Sequence, residues 1–196
     1  MIDDSGIYGV GNANGGTYKN LKIAGSATVN EDCKAEKIKI AGNADFKKSV
    51  TAKSFKVAGR CSVGGNIKVD KLSIAGSFTA KGNIDAENAN FAGTVYVDGD
   101  INCEEFEANV TGSSFKNIYG ESISFHKGNS ISSRSTIEEI AATKIDIENV
   151  KVNKVSGEFG SYFMCCNYPS CSFSFFTIRD IKINIILFSL FFSKIF

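Results

Sequence analysis

Five copies of an apolar-Ala-Gly tripeptide punctuate the first half of the chain: Ile23-Ala24-Gly25, Ile40-Ala41-Gly42, Val57-Ala58-Gly59, Ile74-Ala75-Gly76 and Phe91-Ala92-Gly93. Successive glycines stand 17 residues apart at every interval. A fixed period of this length marks a stacked repeat, whose units are too small to bury an apolar face alone and bury it against their neighbours.

Units beginning at Leu21, Ile38, Phe55, Leu72, Ala89, Phe106 and Ile123 place apolar residues at unit positions 1 and 3, 7 and 9, and 13 and 15. Position 3, for example, reads Ile23, Ile40, Val57, Ile74, Phe91, and position 9 reads Val29, Phe46, Val63, Ala80, Val97. Each pair has the period of two that puts alternate side chains on one buried face of a strand. Turn-tolerant residues separate the pairs: the repeated Gly at position 5, and Glu31, Lys48, Gly65, Gly82, Gly99 at position 11. No stretch repeats at the helical period, and the inward positions are rich in Val and Ile, which suit strands. The spacing predicts an all-β fold, a parallel β-helix with 17-residue coils and a triangular core whose sides take six, six and five residues. Seven units stacked at ~4.8 Å per strand make a rod of about 30–35 Å.

Organisation along the chain follows from where this pattern starts, weakens and stops. Residues 1–14 read as a flexible leader and 15–126 as the β-helix. In the unit after Glu105, Gly112 and Ser114 fall on inward positions and Phe115 is displaced by one. Residues 127–136 are polar and read as a loop; alternation returns out of phase over 137–156, a terminal sub-repeat or cap. From 157 to 196 the chain is an apolar tail, in which Arg179, Asp180, Lys182 and Lys194 are the charges after Gly160. Its run Ile183–Phe192 is ten residues long, whereas a membrane-spanning helix needs ~20. Two readings of the tail stand. One is an appendage that dips Ile185, Ile186, Leu187, Phe188, Phe191 and Phe192 into a membrane leaflet. The other is a terminus translated out of frame.

Charge and composition narrow the function classes. Lys and Arg number 22 against 21 Asp and Glu, so bulk charge gives no reason to expect a nucleic-acid partner. One Pro and 43% hydrophobic residues argue against a disordered chain. The opening Met1-Ile2-Asp3-Asp4-Ser5-Gly6 carries acids and no apolar run, so no signal peptide is expected there and a cytoplasmic location is. In that reducing compartment the six cysteines are expected as thiols.

Candidate chemistry is sparse. Gly9-Val10-Gly11-Asn12-Ala13-Asn14-Gly15 approximates a dinucleotide loop, but its last interval is one residue too long and it lacks the flanking strand and helix. Cys33, Cys61 and Cys103 occupy inward positions and read as small buried hydrophobes. Cys165, Cys166 and Cys171 offer three thiols without a fourth ligand at zinc-module spacing. His126, the single histidine, invites comparison with left-handed β-helix acyltransferases, whose coils hold three equal sides. No acid or serine is fixed beside it by a motif. Glu104, Glu105 and Glu107 fall on outward corner positions, as does a solvated face, and Glu138-Glu139 read likewise. No enzyme, cofactor, metal or small-molecule substrate is expected; a non-polymerising binding module remains the other non-enzymatic reading.

The 17-residue coils, the opening Gly15-Gly16-Thr17-Tyr18 and the stretch Ile145-Asp146-Ile147-Glu148-Asn149 together resemble the bactofilins, bacterial polymer-forming cytoskeletal proteins, over about 15–156. The resemblance implies a right-handed triangular β-helix that assembles end to end, without nucleotide, into scaffolding filaments near the cell envelope of a bacterium. Its partner would be itself. With only a leader before it, the coil beginning at Leu21 is the expected contact end, presenting Leu21, Ile23, Ala27 and Val29.

One feature rises above a generic solenoid. Lys19 to Lys68 holds 11 basic residues and four acids, whereas Val69 to Ser122 holds three basic residues and nine acids. Coils stack in chain order, so the rod is expected to have a basic half and an acidic half. Two such rods would associate head to tail or side by side and antiparallel.

Overall fold

The computed structural model describes residues 2–127, 135–147 and 150–157. Ten strands follow one another: β1 (Ile2–Ala13), β2 (Gly16–Val29), β3 (Cys33–Phe46), β4 (Val50–Val63), β5 (Ile67–Ala80), β6 (Ile84–Val97), β7 (Ile101–Val110), β8 (Ser114–Lys127), β9 (Ser135–Ile147) and β10 (Val150–Ser156). They form a single parallel sheet in chain order, and no helix occurs among the described residues. Each long strand wraps one coil of a β-solenoid. From β2 to β6 the register advances by the sequence period, pairing Leu21 with Ile38, Phe55, Leu72 and Ala89 in turn.

The burial pattern of β4, with Val50, Ala52, Phe55, Val57, Cys61 and Val63 inward, shows three inward pairs per coil. Stacking joins these pairs into one continuous core. Its largest side chains gather toward the later coils, where Phe106 stacks on Phe125 at 5.4 Å and Phe115 meets both edge-on.

The repeated glycine is a corner that no other residue fits. Gly42 has φ of 136°, and a Cβ there would lie 2.2 Å from the carbonyl oxygen of Gly25 in the preceding coil. Both facts require glycine: the backbone is left-handed, and the neighbouring coil leaves no room. The column ends where Val110 takes the place below Gly93. A β-branched residue resists positive φ, and the next left-handed glycine is Gly112, at φ 61°. The corner shift explains the displaced phenylalanine. Phe115 pairs with Val97 instead of the residue before it, and Ser113 and Phe115 turn inward. By Ile118 the original register has returned.

Residues 2–13 are not a leader. They form β1, which lies parallel on β2 and pairs Ile7 with Ile23 and Gly9 with Gly25. The step from β1 to β2 is one residue short of the repeat, because Asn14 and Gly15 make a two-residue corner where later coils use three. Sequence comparison at a fixed period of 17 therefore misses it. The glycine-rich stretch weighed as a dinucleotide loop is the corner and last side of this coil. At the other end β8 continues to Lys127 and β9 begins at Ser135, so the polar stretch is shorter than expected; 128–134 lies outside the described residues. Strands β9 and β10 stack in parallel on β8, with longer and then shorter steps: Phe125 pairs with Ile147, and Ile137 with Val152.

Candidate functional site

A solenoid offers two kinds of surface, its coil ends and its long faces. At the N-terminal end, one edge of β1 is paired with β2 and the other has no partner among the described residues. The inward residues of β1 are small or half-covered: Ile7 and Ala13 pack against the core from outside, with Ser5 and Gly11 beside them. Tyr8 and Val10 are 74% and 92% exposed. This coil displaces the expected contact surface. Leu21, Ile23, Ala27 and Val29 are buried at 0–4% exposure, because β1 covers them. They belong to the core and are not the end of the rod.

The long faces carry columns of outward side chains in register. One column runs Lys22, Lys39, Lys56, Ser73, Asn90, Glu107, Ser124 from β2 to β8. Its neighbour runs Asn20, Lys37, Ser54, Lys71, Asn88, Glu105, Ser122 over the same coils. The residue between them on each strand, such as Leu21 or Phe106, points inward, which leaves a shallow groove along the face. Asn20, Leu21, Lys22, Lys37 and Lys39 line its first end. Asn88, Asn90, Glu105, Phe106 and Glu107, with Ser122 and Ser124, line the other. This face thus displays part of the charge asymmetry of the sequence, with Lys22, Lys37, Lys39, Lys56 and Lys71 toward one end and Glu105 and Glu107 toward the other. Glu107 is held in place by Asn90 and Asn109, whose amides donate to its two oxygens at 2.9 and 3.4 Å.

A further column, at a corner, has no counterpart in the sequence reading. Asp32, Ser49, Asn66, Asn83 and Asp100 occupy one corner, and each of the first four accepts a hydrogen bond from the backbone N–H of the next, at 2.9, 3.2, 2.9 and 3.0 Å. These side chains tie consecutive coils where the strand ladder is interrupted at the turn. Surface ion pairs add to the stitching: Lys48 with Glu31, Lys53 with Glu36 at 3.3 Å, and Lys116 with Asp100 at 3.4 Å. Exposed pairs of this kind contribute ~0–1 kcal/mol each.

The residues weighed for chemistry do not converge. His126 is half-buried on β8, beside Asn109 of the preceding coil, and shares a hydrogen bond of 2.8 Å with Ser124 Oγ. Glu104 and Glu105 are exposed with Glu107, Glu138 is exposed, and Glu139 pairs with Lys154 at 2.7 Å. Cys33, Cys61 and Cys103 are buried thiols. Burial pushes Cys33 up to about 11 and Cys103 up to about 12. Cys61 is raised further by burial, with a contribution from Asp45. Cys165, Cys166, Cys171 and the apolar run from Ile185 to Phe192 lie outside the described residues.

These features define a class, a parallel β-solenoid with 17-residue coils, a first strand whose outer edge has no partner among the described residues, and one face of divided charge. No protein-family model, no curated protein and no solved structure matches this chain.

Proposed function

We propose that this chain is a non-enzymatic structural protein that self-assembles end to end into filaments or a scaffold, as the bactofilins resembled by its repeat do. The observation that carries the reading is the outer edge of β1. A strand with unpaired N–H and C=O groups, set over half-covered apolar residues, invites another strand to continue the stack. The contact would centre on Ile7 and Ala13, one coil earlier than the sequence alone suggests. The partner is a second copy of the chain, the setting a bacterial cytoplasm, and no nucleotide or other cofactor is needed, since strand pairing and apolar burial supply the contact.

Electron microscopy of the purified protein at physiological salt tests this. Filaments or sheets are expected, and Ile7→Lys, which sets a charge on the end of the core, should abolish them while leaving the later coils folded by circular dichroism. A protein that stays monomeric by light scattering at high concentration contradicts the proposal. The same substitution at Ile23 is not an equivalent test, because Ile23 is buried between Ile7 and Ile40 and a charge there would break the core.

A further inference from the structure

The grooved face described above pairs with itself, and we infer that two copies of the chain dock side by side through it, antiparallel, with β5 of one opposite β5 of the other. The argument rests on charge in register. From β2 to β5 the two columns hold Lys22, Lys37, Lys39, Lys56 and Lys71 and no acid; from β6 to β8 they hold Glu105 and Glu107 and no base. Among the described residues none of these lysines lies within an ion pair. A row of exposed like charges one coil apart repels itself and is relieved by an opposite charge laid over it.

A two-fold axis across the face at β5 keeps each column opposite itself and reverses the order of coils. Lys37 then meets the second copy's Glu105, and Lys39 its Glu107. Beyond them Asp4, in line with Asn20 of β2, meets Lys144, in line with Ser122 of β8. Lys56 meets Asn90, a neutral acceptor. The one like-charge meeting is Lys71 with its own copy, at the axis. Moving the axis half a coil either way removes the Lys71 meeting and keeps Glu107 opposite Lys22 or Lys56. It also sets Glu105 against Asn20 or Ser54 and so loses the pair of Lys37 with Glu105 in both copies. A parallel arrangement exchanges the two columns and sets Lys37 against Lys39 and Glu105 against Glu107, with no lysine opposite an acid on these columns from β2 to β8.

The rows from β1 to β9 span ~38 Å, and a face of about five residues is ~15 Å wide. Roughly 1,100 Å² is then buried in total, near the lower limit for a specific contact. A polar face of that size predicts a weak pair that salt dissolves, since exposed charges are screened over ~8 Å at physiological ionic strength. This contact is separate from the end contact proposed above and would bundle rods side by side.

Zero-length carbodiimide coupling of the full chain at low salt, read by mass spectrometry, tests the register. Lys39–Glu107 and Lys37–Glu105 adducts are expected. They must be intermolecular, since each pair lies four coils, ~19 Å, apart within one chain. Half-molar salt should suppress them. Lys39→Glu or Glu107→Lys alone should lower the yield of the Lys37–Glu105 adduct roughly tenfold, and combining them should restore it, because each contact then holds the same pair reversed. Both substituted positions are exposed, so the fold tolerates them. Absence of these adducts at low salt overturns the proposal, as does a double variant no better than the single ones. Loss of filaments in Ile7→Lys with the adducts retained leaves it standing.

Discussion

Burial decides the chemistry of the three core cysteines. Each replaces a Val, Ala or Ile of the repeat, and removal from water disfavours the thiolate, raising Cys33 to about 11 and Cys103 to about 12. At pH 8 the thiolate is therefore scarce, and the side chain is covered as well. Alkylation of the native protein with iodoacetamide at pH 8, mapped by mass spectrometry, should leave Cys33, Cys61 and Cys103 unmodified until denaturant is added. Labelling of Cys61, the most deeply buried of them, under native conditions would show the core to be open. The inward role of these residues was legible because position and period sufficed to assign it. The corner column from Asp32 to Asp100 was not, since Asp, Ser and Asn at a turn have many local uses. Only the coil-to-coil stacking shows that each side chain serves the coil that follows.

At the scale of the coil, the corner glycine sets what the repeat tolerates. In Gly59 the φ is 134° and a Cβ would stand 2.2 Å from the Gly42 carbonyl oxygen. Gly59→Ala combines backbone strain of ~1–3 kcal/mol with that clash, so urea unfolding should show a loss of at least ~2 kcal/mol. Ser77→Ala, on a neighbouring outward column, should be close to neutral. Equal stability of Gly59→Ala and the parent would mean that the corner is not built as described. Coils that keep both the glycine and the period were readable from sequence in full. Those that change either one were not: Ile7-Tyr8-Gly9 makes the same corner as Ile23-Ala24-Gly25, but 16 residues before it instead of 17. A step of 16 in place of 17 relates the first described coil to the second. Past Val110 the periodicity failed for a different reason, the transfer of the corner to Gly112.

For the whole molecule, stacking order converts sequence into surface. Because every coil lies on the one before it, a change of charge along the chain becomes a division between two halves of a face, and the first strand keeps one edge without a partner among the described residues. The proposed end contact and the proposed lateral contact both depend on that stacking. Thr17, Lys34, Thr51, Lys68, Asp85 and Asn102 stand in one outward column, six coils in register. Spin labels at Thr17→Cys and Asn102→Cys are thus five steps apart, ~24 Å. Cys165, Cys166 and Cys171 would be replaced by serine, and labelled protein diluted into unlabelled protein so that only pairs within one chain are read. Pulsed electron paramagnetic resonance should give a narrow distribution near ~24 Å, widened by the label tethers. Without coil stacking a sequence separation of 85 leaves the labels ~50 Å apart and broadly spread, and that result would contradict the solenoid and the two proposed contacts that rest on it.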